Sequence, residues 1–136
     1  ASRVGAITGI DLSQEMVKEA RERCAGLANV MLLETSGRDL SPFPDAVFDA
    51  AIAVDTLPYL YQAGGTALVR SQLAEIARVL RPKAELLVLN LSYRGDLAED
   101  RADAALFADE LGLTLLRNGT ADLRLWDGRS FHFRNG

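Results

Sequence analysis

Ile7-Thr8-Gly9-Ile10-Asp11-Leu12-Ser13-Gln14-Glu15-Met16 passes from an apolar run, through one carboxylate, into the start of a helix. Val4 to Ile10 reads as a buried strand that ends at Asp11. Ser13 is a good N-cap, and Gln14 and Glu15 suit the positive end of a helix. Met16, Val17, Ala20 and Cys24 share one helical face, and Gly26 is a plausible stop. This places Asp11 at the carboxyl end of a strand, where ligands of open parallel sheets bind.

The same alternation continues downstream. Val30 to Glu34 reads as a second strand, and Ser41-Pro42-Phe43-Pro44-Asp45 as a loop. Phe48 to Val54 is apolar apart from Asp49, the pattern of a strand buried on both faces. Gly64-Gly65 reads as part of a loop before a helix over Thr66 to Leu80, with Val69, Leu73, Ile76, Ala77 and Leu80 as its apolar stripe. Glu85 to Leu91 is another strand, and Asp96 with Glu99 opens a helix that Gly112 ends. The tail from Leu113 to Arg134 is strand-like, with turn signals at Asn118-Gly119 and Asp127-Gly128. Strands alternating with helices predict a parallel α/β sheet covered on both faces and closed by an antiparallel tail.

A chain of 136 residues fits one domain, short for a complete three-layer enzyme. Cys24 stands alone, which excludes an internal disulfide and a cysteine zinc cluster; no metal site is expected. The net charge of −4, without a basic block, argues against nucleic acid as a partner. No apolar run approaches the roughly 20 residues of a membrane helix, and no leader pattern opens the chain. The expectation is a cytoplasmic protein with no membrane partner.

Taken together, these elements resemble a class I S-adenosylmethionine-dependent methyltransferase of the small-molecule kind. The matching residues are Gly9-Ile10-Asp11-Leu12-Ser13 with Met16, then Gly37-Arg38-Asp39-Leu40-Ser41-Pro42-Phe43-Pro44-Asp45. Phe48-Asp49-Ala50 and Glu75-Ile76-Ala77-Arg78-Val79-Leu80-Arg81-Pro82 follow in the family's order. The resemblance implies a three-layer, Rossmann-like sheet, mostly parallel, with an antiparallel C-terminal strand. It also implies that the first strand with its glycine-rich turn, and the helix after it, lie ahead of Ala1. The expectation is therefore a single incomplete domain over residues 1–136, a fragment of the full one. A naturally truncated paralogue is the competing explanation, and exposed strand edges suggest a homodimer.

What the resemblance implies for the site can be given residue by residue. Asp11 would accept hydrogen bonds from the vicinal ribose hydroxyls of S-adenosylmethionine. Leu12 and Met16 would wall the adenine, with core packing as the alternative. Ser36-Gly37 stands where the family often has an acidic residue and a small one, so Ser36 would bind the adenine amino group less firmly; Glu34 or Asp39 is the substitute. Asp55 would meet the cofactor or orient the nucleophile, or else simply cap its turn. Tyr59 is a candidate pocket wall, and Asn90, Ser92, Tyr93 and Arg94 follow the next strand as a substrate rim. His132 reads as a packed histidine, and Trp126 as stacking on Arg124 or Arg129. The acceptor would be a small molecule. The alternatives are a non-catalytic, methyltransferase-like binding or scaffold domain, and an NAD-dependent Rossmann oxidoreductase, whose ribose an acidic residue also fits.

Overall fold

The computed structural model describes residues 4–136, which divide into two compact units, one up to Arg38 and the other from Asp39 to Gly136. The first unit contains β1 (Ile7–Asp11), α1 (Gln14–Arg23) and β2 (Val30–Glu34). The two strands pair in parallel from Ile7↔Val30 to Asp11↔Glu34, so α1 is the crossover of a strand–helix–strand unit. Ser13 caps α1 as expected, its Oγ accepting from the Met16 N–H at 3.3 Å. The helix stops at Arg23, with Cys24 as its C-cap, ahead of the left-handed Gly26. Its last turn carries Arg21 and Arg23, which suit the negative end of the helix dipole.

The second unit contains β3 (Phe48–Val54), α2 (Thr56–Val79), β4 (Leu80–Asn90), α3 (Leu97–Leu111), β5 (Thr114–Thr120) and β6 (Arg129–Arg134). Its sheet has the order β3-β4-β6-β5; β3 and β4 are parallel, and β6 runs against both β4 and β5. The antiparallel C-terminal strand is therefore present. Leu86 and Val88 of β4, with Phe131 and Phe133 of β6, pack against Leu57, Val69 and Leu73 of α2 and Phe107 of α3. This face forms the core.

Five local expectations change. Strand β3 is not buried on both faces: Ile52 and Val54 are 67% and 52% exposed, while Ala53 alone is fully on the core side. Helix α2 begins ten residues before Thr66, because Leu57 and Leu60 bury at helical spacing and Pro58 sits in the first turn, where its missing N–H costs nothing. Gly64-Gly65 is then a kink inside α2, with Gly65 at φ +64°. Asn118-Gly119 is a register shift within β5 rather than a turn, the left-handed Gly119 supplying the extra residue. Strand β4 also starts early, at Leu80, and Lys83 adopts φ +67°, a conformation that favours glycine.

Candidate functional site

The parallel pairing of β1 and β2 brings the segments after both strands to one edge of the first unit. Asp11 is exposed; its Oδ1 accepts the Ser13 N–H at 2.8 Å, and its backbone carbonyl accepts from Thr35 at 3.0 Å. Oδ2 has no partner among the described residues. Leu12 and Met16 are each 53% exposed, so neither is a core residue. Gly37 adopts φ +67°, and a Cβ built there would lie 2.4 Å from Leu12 Cδ2. The left-handed backbone at position 37 favours glycine, while the exposed Leu12 side chain has room to move away from a Cβ there. Ser36 Oγ accepts from the Arg38 N–H at 3.3 Å, shaping the turn that presents Gly37. Asp39 serves its own turn: hydrogen bonds from Ser41 hold its carboxyl below the ordinary range. The edge thus offers one carboxylate oxygen, two exposed apolar side chains and a glycine turn.

In the second unit, Asp55 follows β3 at φ +48°, its N–H bonded to the Leu89 carbonyl at 2.8 Å. Its side chain makes no capping bond to α2, so the simple capping role does not describe it. Non-glycine residues in this region carry backbone strain, which makes the position notable. Tyr59, on the first turns of α2, is 65% exposed.

The residues after β4 are more occupied than a substrate rim requires. Tyr93 is buried; its hydroxyl donates to Asp103 Oδ2 at 2.5 Å, and burial followed by that carboxylate pushes the phenol well above its ordinary pKa. Arg94 donates from Nη1 to Asp103 at 2.8 Å, pairs with Glu99 at 3.2 Å, and lies 5.6 Å from the centre of the Tyr61 ring. Ser92 Oγ donates to Asp100 Oδ2 at 2.6 Å, and the Tyr93 and Arg94 N–H groups reach Asp100 at 3.2 Å each. Asp100 is fully buried and organises this loop. Sequence reasoning missed it because, so close to the Asp96 cap, it reads as one more acidic residue in a first helical turn. Asn90, also fully buried, has no hydrogen-bond partner for either amide atom among the described residues. His132 bonds to Glu85 across the sheet at 2.9 Å, and Trp126 Nε1 donates to the Arg129 carbonyl at 3.3 Å rather than stacking on its side chain.

Parallel strands joined by helices, with an acidic residue closing β1, define an α/β protein of the Rossmann-like type. The sequence family described as "Methyltransferase domain" matches residues 1–88, and the chain belongs to it. A demethylmenaquinone methyltransferase of Tropheryma whipplei (strain Twist) is 40% identical over 93 residues, covering 68% of this chain and 36% of the relative. A phosphatidylethanolamine N-methyltransferase of Cereibacter sphaeroides is 34% identical over 128 residues, covering 88% of this chain and 60% of the relative. The fold matches the crystal structure of a SAM-dependent methyltransferase from Aquifex aeolicus with a TM-score of 0.65 at 20% identity, covering 95% of this chain and 67% of that one. The methyltransferase resemblance is borne out, and these comparisons give the dehydrogenase alternative no support. The chain spans 36% to 60% of the length of the two curated relatives. No described helix is long and apolar enough to cross a membrane.

Proposed function

We propose that this chain is part of an S-adenosylmethionine-dependent methyltransferase acting on a small-molecule acceptor in the cytoplasm. The grouping of Asp11, Leu12, Met16 and Gly37 at one strand edge carries this reading. Asp11 Oδ2 takes a ribose hydroxyl, a second hydroxyl shares Oδ1, and Leu12 and Met16 cover the adenine face. These residues fit the adenosyl half of the cofactor. Because the chain spans 36% and 60% of the two curated relatives, we read residues 1–136 as one incomplete domain.

When bound, the cofactor supplies an electrophilic methyl group on a sulfonium. The protein aligns the acceptor with it and excludes water, effects that are worth roughly 7–11 kcal/mol in favourable cases. With a hydroxyl acceptor, the cofactor held by Asp11, Leu12 and Met16 would supply the methyl group, and the hydroxyl would have a proton to give up. Asp55, whose carboxylate is not spent on capping α2, takes the hydroxyl proton. A neutral amine or a thiolate needs no such base.

Calorimetry with S-adenosylhomocysteine tests the proposal. The full encoded protein binds with a dissociation constant of about 10 μM or tighter, equivalent to about −7 kcal/mol. The 136-residue chain alone binds weakly or not at all. No binding by the full protein would replace the enzyme reading with that of a scaffold domain, and tight binding by the short chain would refute its incompleteness.

Strand β3 pairs only with β4 among the described residues, and an unpaired apolar edge recruits other strands. We assign the 136-residue chain a homodimer formed by two such edges. Light scattering should report twice the 14.7 kDa chain mass, and Ala50→Lys, on the exposed side of β3, should shift it toward monomer. A wild-type monomer at high concentration defeats the pairing.

A further inference from the structure

Two dipeptides that stand in the sequence as turn signals, Asn118-Gly119 and Asp127-Gly128, share a chemistry that methyl transfer does not use. Glycine has no side chain to shield its amide nitrogen, which can reach the side-chain carbonyl carbon of a preceding Asn or Asp and close a cyclic imide. At neutral pH the carboxamide is the more reactive of the two, because an ionised carboxylate resists attack. Sequence alone therefore ranks Asn118 first. The structure reverses that order. Asn118 lies within β5, and Gly119 is buried. Arg101 of α3 fastens both, its Nε donating to the Asn118 carbonyl at 3.1 Å and its Nη2 to the Gly119 carbonyl at 3.0 Å. The Asn118 amide is engaged as well, its Nδ2 donating to the Arg101 carbonyl at 3.1 Å. Closing an imide there requires the side chain to leave Arg101 and the strand to open locally. Asp127, by contrast, is exposed and lies outside both β5 and β6. Neither its carboxylate nor the Gly128 N–H has a hydrogen-bond partner among the described residues.

We infer that Asp127 is the site of a spontaneous covalent modification, aspartate to isoaspartate, and that Arg101 keeps the more reactive Asn118 closed. The Gly128 nitrogen attacks Asp127 Cγ; the nitrogen–carbon bond forms and a carboxyl oxygen leaves as water, giving the imide. Solvent water then reopens the ring. Cleavage at Cγ restores aspartate. Cleavage at the main-chain carbonyl leaves Gly128 joined through Cγ, with no change in mass and no oxidation or reduction. The backbone then carries one extra carbon beside Gly128, where space is short: a Cβ built on Gly128 lies 2.6 Å from Trp126 Nε1 and 2.9 Å from the Asn90 carbonyl oxygen. The longer backbone displaces Gly128 and, with it, the bond from Trp126 Nε1 to the Arg129 carbonyl. Modification thus loosens the β5–β6 hairpin where Arg129 pairs with Asn90.

The test ages the full encoded protein in neutral buffer and maps its peptides by mass spectrometry, with a protease that cleaves before aspartate but not before isoaspartate. In native wild type, isoaspartate accumulates at position 127 at least about tenfold faster than Asn118 deamidates, and in urea the order reverses. Asp127→Asn sets the same dipeptide chemistry at both places in one folded molecule; position 127 deamidates at least about tenfold faster than Asn118. Arg101→Ala, its fold checked by circular dichroism, speeds deamidation of Asn118 about tenfold; if it does not fold, the two preceding comparisons decide. Emission from Trp126, the sole tryptophan, shifts to the red in step with conversion at position 127. Equal native rates at the two positions, in wild type or in Asp127→Asn, would overturn the inference. A folded Arg101→Ala variant with Asn118 still inert would remove Arg101 from it, and unchanged Trp126 emission would refute the loosened hairpin.

Discussion

Asp11→Ala in the full encoded protein should weaken S-adenosylhomocysteine binding about a hundredfold, or about 2.7 kcal/mol. The size follows from losing two hydrogen bonds to a charged acceptor, each worth roughly 1.5–3 kcal/mol, less what water restores at an exposed site. The fold should tolerate the change, because among the described residues the side-chain bond lost is the local one from Ser13. Asp11→Asn should fall between, near tenfold, since its oxygen can still accept from Ser13 while the amide nitrogen faces a ribose hydroxyl. Calorimetry gives the affinities, and circular dichroism checks the fold. Equal affinity in wild type and Asp11→Ala would remove Asp11 from the site and, with it, the grouping on which the proposed function stands.

The strand–turn–helix around Asp11 was legible because its information is local. The Ser13 cap, the apolar spacing and the terminal carboxylate lie within ten residues, and the structure realises the cap as read. The end of α3 at Gly112 was legible for the same reason, its left-handed C-cap being a glycine signature. Errors arose where tertiary packing outweighed local preference. Gly64-Gly65 has the composition of a loop, but buried residues on both sides of it hold a kinked helix together. Ile52 and Val54 look like core residues, yet α2 and α3 supply the core on the opposite face of this sheet. At the site, residue types were legible and their commitments were not. Nothing in Tyr93-Arg94 discloses that both side chains bind Asp103, ten and nine residues later. Nor does an asparagine at a strand end disclose that its amide is buried without partners.

Glu75→Gln should lower stability by about 2 kcal/mol at neutral pH, and the loss should disappear in acid. Glu75 Oε2 accepts from the Leu40 N–H at 2.9 Å and from Arg78 Nη2 at 2.8 Å, while Oε1 accepts from Arg78 Nε at 2.8 Å. Arg78 in turn donates to the Phe43 and Leu40 carbonyls and to Asp45, fastening the proline-rich loop to α2. This gives the Glu75-Ile76-Ala77-Arg78 string, quoted above only as part of a resemblance, a structural role. Leu40 and Phe43 are buried in the same loop, so releasing it exposes apolar surface as well. The Arg78 hydrogen bonds, and then the Leu40 N–H, lower the Glu75 pKa from 4.5 to about 2. A carboxyl whose folded pKa is depressed stabilises fully above its unfolded value and loses that contribution as pH falls through its folded value. The difference in unfolding free energy between wild type and Glu75→Gln should therefore be constant above about pH 5, shrink below pH 4.5 and vanish near pH 2. Urea titrations across that range measure it. A difference that stays level from pH 6 to pH 3 would mean that the charge on Glu75 contributes nothing to holding the loop.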